Sequence, residues 1–241
     1  MIKTIFLLIA LFLSQNIYAN NFSLSAGAGG LLGYTFTRYT LEGGSVKSRQ
    51  SMDRLNYGGF LFIDTTYAAF SVMFQGGRNS YSENMIYDVA ALADQKGTGT
   101  ETSLGFSLLG KYPFKINEEF TWFPMLGVEY QIALTQRRQP DGDLVYDRSK
   151  GNLPEDRDKN DNPYSLSAWN SAWINIGAGL NYNLRGPLFL RCELLFGFRL
   201  PTAYERGALD KVKNPPMNAN NPALAGLTGG PTLKTGIGYR F

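Results

Sequence analysis

Histidine is missing from all 241 residues, and cysteine occurs once, as Cys192. Without an imidazole the chain lacks the general base that serine hydrolases and barrel acyltransferases place beside their nucleophile. One cysteine cannot close an internal disulfide, so stability in an oxidising compartment has to come from elsewhere. Charge of one sign is scarce too. The formal net charge is only +3 with Lys3 counted, too little to draw nucleic acid. These absences predict a protein that is no enzyme and carries no cofactor, no metal and no nucleic-acid partner.

Long apolar runs are also few. Ile5 to Leu13 is the one near-continuous stretch, preceded by Met1-Ile2-Lys3 and followed by Ser14-Gln15-Asn16-Ile17-Tyr18-Ala19. A membrane helix needs roughly 20 apolar residues, so residues 1–19 read as a secretory signal peptide cleaved after Ala19. No cysteine stands at that point to accept a lipid. Residues 20–241 then form one domain, and nothing in them is long and apolar enough for a membrane helix.

What the chain has in excess is glycine and aromatic side chains, with 27 Gly, 14 Tyr and 16 Phe. They fall into a period of two, which puts successive side chains on opposite faces of a strand. In 22–36 the apolar face carries Phe22, Leu24, Leu32, Tyr34 and Phe36, and serines and glycines lie between. The same alternation fills 55–63, 67–77, 101–108, 122–134, 174–182, 188–200 and 233–241. Eight strands are predicted.

A soluble β-sandwich would alternate as well. Three features favour a membrane barrel. The segments reach the roughly 9–11 residues that cross a bilayer, where a soluble strand averages about 5–6. One face is apolar and nearly free of charge, and the other holds the charges. The connections also alternate in length. They are short at Asp64-Thr65-Thr66, at Tyr112 to Glu119 and at Leu184-Arg185-Gly186-Pro187, and long at 37–54, 76–99, 135–170 and 201–230. Short turns on the periplasmic side and long loops outside are the habit of outer-membrane barrels.

On these residues the chain resembles the small eight-stranded outer-membrane β-barrels, of the kind that includes the OmpA transmembrane domain, OmpX, OmpW and the opacity proteins. The expected fold is therefore all-β, an antiparallel up-and-down transmembrane barrel in the bacterial outer membrane, embedded in lipid. The resemblance further implies that Tyr239 and Phe241, at the end of "LKTGIGYRF", act as the signal read by the barrel-insertion machinery. It also implies aromatic bands at the two interfaces: Phe22, Tyr67, Phe120, Trp122, Tyr182, Tyr239 and Phe241 at one, and Tyr34, Phe36, Tyr57, Trp169 and Phe198 at the other.

The alternation places Glu101, Glu129, Arg191, Glu193, Arg199, Lys234 and Arg240 inside, as a lumen charge network. An eight-stranded interior is just wide enough for side chains to fill, and paired charges would plug it. Phe60, Phe62, Met73, Leu109, Phe123, Met125 and Leu195 also point inward. Two functions are open at this stage. One is a surface-exposed barrel acting through its loops, adhesin-like or envelope-stabilising, with an extracellular ligand at those loops. The other is a narrow channel for small solutes, or for small hydrophobic molecules as the OmpW resemblance implies.

Other motifs are weak. Gly27-Ala28-Gly29-Gly30 lacks the third glycine of a dinucleotide fingerprint, since Leu32 stands there. Asp156 to Asn162 begins like a calcium loop, but Asp161 replaces the turn glycine and Ser167 the bidentate glutamate. That segment reads as a solvated loop.

Overall fold

The computed structural model describes residues 23–43, 46–87, 90–140, 170–200 and 223–241. Residues 1–19, the calcium-like segment, Phe22 and Trp169 therefore lie outside the described residues. The described residues form nine strands: β1 (Leu24–Gly43), β2 (Val46–Thr65), β3 (Ala68–Tyr87), β4 (Ala90–Lys111), β5 (Phe114–Lys115), β6 (Phe120–Pro140), β7 (Ser171–Asn183), β8 (Leu188–Arg199) and β9 (Ala223–Arg240). β5 is a two-residue arm inside a turn, pairing with Trp122 and Thr121. The other eight pair with their neighbours in antiparallel fashion, and β1 pairs with β9 from Ser25↔Arg240 upward. The sheet is thus a closed barrel without a free lateral edge along that stretch.

Alternation explains the wall. Leu32, Leu55, Tyr57, Leu61, Phe74, Leu126, Val128, Ile176 and Leu194 are each at least half exposed on the outer surface. Their neighbours in sequence are buried toward the axis, as in the strict in-out pattern of β8. Between the level of Arg38, Asp53 and Arg78 and the turn end, no outward residue among the described ones is charged. A water-soluble monomer rarely exposes an apolar patch beyond about 600 Å². A continuous apolar belt around the barrel is the surface of a protein solvated by lipid.

At the turn end the connections are as short as expected. Gly186 sits at φ 69°, a left-handed conformation that a side chain would disfavour. In the longest turn, Asn117 Oδ1 accepts from the backbone N–H of Glu119 at 2.9 Å and of Phe120 at 2.7 Å, closing an Asx turn. Aromatic rings band this end: Tyr67–Tyr112, Tyr112–Phe114, Phe114–Trp122, Phe120–Tyr182 and Tyr239–Phe241 lie 4.7 to 6.0 Å apart. The backbone of the last residues is held on both sides, by Arg240 N–H to the Pro187 carbonyl at 2.9 Å and Phe241 N–H to that of Leu24 at 3.0 Å.

The opposite end corrects the sequence reading. Most of 37–54 and 76–99 is not loop but continued strand, paired without interruption from Thr37↔Met52 to Gly43↔Val46, and from Ser80↔Thr98 to Tyr87↔Ala90 with one irregularity between Glu83 and Met85. A strand of 20 residues such as β1 runs roughly 65 Å. Tilted by about 45°, it rises far past an apolar band of about 25 Å. β1, β2, β3, β4 and β6 span 20 to 22 residues, whereas β7 has 13 and β8 has 12. Among the described residues, the β1–β2 and β3–β4 hairpins therefore rise well past that band. Of the predicted connections 135–170 and 201–230, residues 141–169 and 201–222 lie outside the described ones.

Candidate functional site

The lumen is where this chain concentrates its chemistry. Inward glycines leave room there for aromatic rings. A Cβ at Gly179 would stand 2.2 Å from the Phe123 ring, and one at Gly238 would stand 2.3 Å from Phe189. The bulky and the small luminal residues are thus complementary across neighbouring strands. Phe60, Phe62, Leu31, Met73 and Phe189 form one buried cluster, and Leu109, Phe123, Met125, Leu195 and Ala69 form another.

The seven charged residues expected in one network fall into separate groups. Nearest the turn end, Arg191 lies between two rings, its guanidinium carbon 4.9 Å from the Phe62 centroid and 5.2 Å from that of Phe123. It binds Asp64 Oδ2 at 2.7 Å and the Glu193 carboxylate through Nε. Lys111 Nζ reaches the same Asp64 oxygen at 2.6 Å and sits 4.9 Å over Phe123. Arg240 belongs to the rim of this group, donating to Asn183 Oδ1 at 2.6 Å over the Phe189 ring. Asp64 and Lys111 were missed from sequence, because the expected strands stopped just short of them.

Glu129 forms a second group with amides in place of cations. Its Oε1 accepts from Gln131 Nε2 at 2.7 Å and Gln75 Nε2 at 3.4 Å, and its Oε2 from Asn175 Nδ2 at 3.1 Å. Toward the hairpin end, Arg54 pairs with Glu101, and Arg199 donates to Thr228 at 3.2 Å. Thr228 in turn donates to Thr37 at 3.1 Å. Arg54 was also missed, having been assigned to a loop. Lys234 is 1% exposed, and its Nζ has no hydrogen-bond partner. Phe60 is the ring beneath it, with its centroid 5.9 Å from Nζ.

Two small cavities occupy the hairpin-end half of the lumen, of about 30 and about 20 Å³. Both are lined by Thr35, Arg54, Gln131 and Trp173. Trp173 is 7% exposed and faces inward, its indole N–H donating to Ser171 at 2.9 Å. On the outer surface at this end, Asp53 accepts from the Tyr34 hydroxyl at 2.8 Å, and Arg38 Nη2 donates to its Oδ1 and Oδ2 at 2.8 and 3.1 Å. Burial raises the Asp53 pKa, but the Tyr34 hydroxyl and Arg38 outweigh it and hold the carboxyl below its ordinary range. Cys192 is exposed on the apolar belt, a position for a small hydrophobe. Tyr239 and Phe241 are exposed on the outer surface at the turn end, at 47% and 77%. Among the described residues no group of His, Cys, Asp or Glu could hold a metal ion.

A scan of protein-family models finds no match, and none of the curated proteins matches the chain. Solved structures do. Neisserial surface protein A is 13% identical with a TM-score of 0.35, over 92% of this chain and 98% of that one. The outer membrane protein OprG from Pseudomonas aeruginosa is 12% identical with a TM-score of 0.36, over 90% and 97%. Ail of Yersinia pestis, in complex with the heparin analogue sucrose octasulfate, is 13% identical with a TM-score of 0.30, over 90% and 99%. By its own strand pairing this chain is a closed eight-stranded antiparallel β-barrel, and the solved structures it is similar to include a neisserial surface protein and an outer membrane protein of Pseudomonas aeruginosa.

Proposed function

We propose that the protein is an outer-membrane barrel with a sealed lumen, acting through the hairpins and connections that rise beyond its apolar belt, in an adhesin-like or envelope-stabilising role. The observation that carries this reading is the plug at the turn end. Phe62, Phe123, Phe189, Met73, Leu109 and Leu195 are all at most 4% exposed, and the Arg191–Asp64–Lys111–Glu193 group fills the space between them. The cavities of about 30 and 20 Å³ lie above that plug and have room for only a few waters. A solute path would have to displace fully buried rings and break ion pairs whose partners have no water to turn to.

In this reading the short turns face the periplasm and the tall hairpins face outward. Residues 1–19 direct export, and Tyr239 with Phe241 present the last strand to the insertion machinery. Ligand contact belongs to the hairpin end, where Arg38, Asp53 and Arg78 face outward and Thr37 and Arg54 face inward. The test is planar-bilayer conductance of the refolded protein. Silence is expected, with heat-modifiable migration confirming the folded barrel. Discrete openings whose size changes on Arg191→Gln or Glu193→Gln would overturn the sealed-lumen reading and leave a narrow channel in its place.

A further inference from the structure

We infer that the outer face of β3 and β4, just past the apolar belt, is a docking site for the phosphorylated sugar headgroup of a lipid, gripped by Arg78 and Lys96. Both side chains are exposed on that face, and among the described residues no carboxylate pairs with either. Arg38, also outward at this end, is already held by Asp53. Two cations on adjacent strands are thus left for an anion from outside the chain.

Position selects a lipid. Arg78 stands opposite Leu55 in the β2–β3 pairing, at the border of the belt, with Gly76 the next outward residue below it on β3. The Tyr57 ring lies over Gly76, so that a Cβ there would meet its edge at 3.3 Å and its hydroxyl at 3.7 Å. Such amphipathic rings mark the level where hydrocarbon gives way to headgroups. The belt below is continuous with the site, so a lipid packed on the belt brings its headgroup to Arg78, and a guanidinium matches a phosphate in charge and in fork geometry.

The second cation selects a headgroup taller than one phosphate. Arg78 pairs with Thr100, and Ser82, four residues farther along β3, pairs with Lys96. Four residues span about 13 Å of strand, and with a tilt of about 45° Lys96 stands roughly 10 Å farther from the belt. A glycerophospholipid, with its single phosphate at the border, leaves Lys96 unanswered. Between the two cations the outer face carries Ser80, Ser82, Thr98 and Thr100, hydroxyls that both donate to and accept from a sugar. A phosphorylated disaccharide reaches both cations and meets a hydroxyl at each step between them. On the opposite wall Phe198, Leu200 and Leu227 are exposed instead, so the site is one-sided. It rests on the outward orientation of the hairpins proposed above but not on a sealed lumen, so conductance and lipid binding fail independently.

The experiment titrates the full chain, refolded in neutral detergent, with four probes, and counts bound molecules by native mass spectrometry. The probes are a bisphosphorylated glucosamine-disaccharide lipid, its dephosphorylated form, phosphatidylglycerol, and the acyl-free bisphosphorylated disaccharide. One molecule of the first should bind per barrel, about tenfold or more tightly than any of the others. Arg78→Gln and Lys96→Gln should each weaken that binding about fivefold, the factor for one surface cation facing an anionic lipid. Arg185→Gln, exposed in a turn at the other end, should leave it unchanged. Equal binding of the dephosphorylated lipid, or wild-type affinity in the Arg78→Gln/Lys96→Gln double variant, would overturn the proposal. Equal binding of phosphatidylglycerol would overturn the sugar headgroup, and equal binding of the acyl-free disaccharide would overturn the lipid as its source.

Discussion

Replacing Gly179 by alanine tests the packing logic of the lumen most directly. The added Cβ would meet Phe123 at 2.2 and 2.6 Å, where 3.4 Å is ordinary contact. The ring must therefore retreat by roughly 1 Å into a core at packing density. It has nowhere cheap to go, since Phe123 is 0% exposed and carries Lys111 and Arg191 against its faces at 4.9 and 5.2 Å. Overpacking of this kind costs about 1–3 kcal/mol. Phe123→Ala alone opens a cavity and costs about 3–5 kcal/mol. In the double variant the new methyl enters space the ring has left, so the penalty of Gly179→Ala should vanish. The coupling energy is then about 1–3 kcal/mol in the favourable direction. A further small gain follows from removing a strand glycine, worth about 0.5–1 kcal/mol. The assay is reversible urea unfolding of the barrel in lipid vesicles, followed by tryptophan fluorescence, for the wild type, both singles and the double. Additivity to within about 0.5 kcal/mol would refute the claim that this glycine exists to seat that ring.

Arg191→Met should cost about 3–5 kcal/mol, because it strands Glu193 and removes one of the two cations on Asp64 from a buried site; the urea midpoint measures it. Cys192, exposed on the apolar belt, should resist a water-soluble maleimide and react with a lipophilic one when the protein sits in nanodiscs. Rapid labelling by the water-soluble reagent would contradict the lipid-facing assignment of β8.

The wall was legible in sequence wherever lipid lay on one side and lumen on the other. Leu188, Leu190, Cys192 and Leu194 alternate with Phe189, Arg191, Glu193 and Leu195 because a solvent boundary enforces the period, and the burial pattern of β8 follows it residue by residue. Above the belt that boundary disappears. Arg54, Gly77 and Asn79 are still buried on the inner face, but Asp53, Arg78 and Ser80 on the outer face are polar, so no apolar period is selected there and backbone pairing carries the strands on. Polar composition then reads as loop. The charged lumen was legible in part for a related reason. Arg54, Asp64 and Lys111 stand at the edges of the periodic segments, where a boundary misplaced by a few residues removes them from the interior. The way the ion pairs sort could not be read at all. Glu193 has Arg191 two residues away and Lys234 across the strand pair, and only packing decides between them.

The seam between β1 and β9 has a kinetic consequence. Every other barrel pairing joins strands that are neighbours in sequence, but this one brings Ser25 to Arg240. Until it forms, the chain is a curled sheet with two unsatisfied edges and an apolar face, a species prone to associate with its own copies. Contacts this remote slow the search, because the whole intervening chain must be ordered before they reward it. Closure should therefore be the late and cooperative step of assembly, and substitutions along this seam should alter the rate of refolding into vesicles more than those at the β1–β2 hairpin.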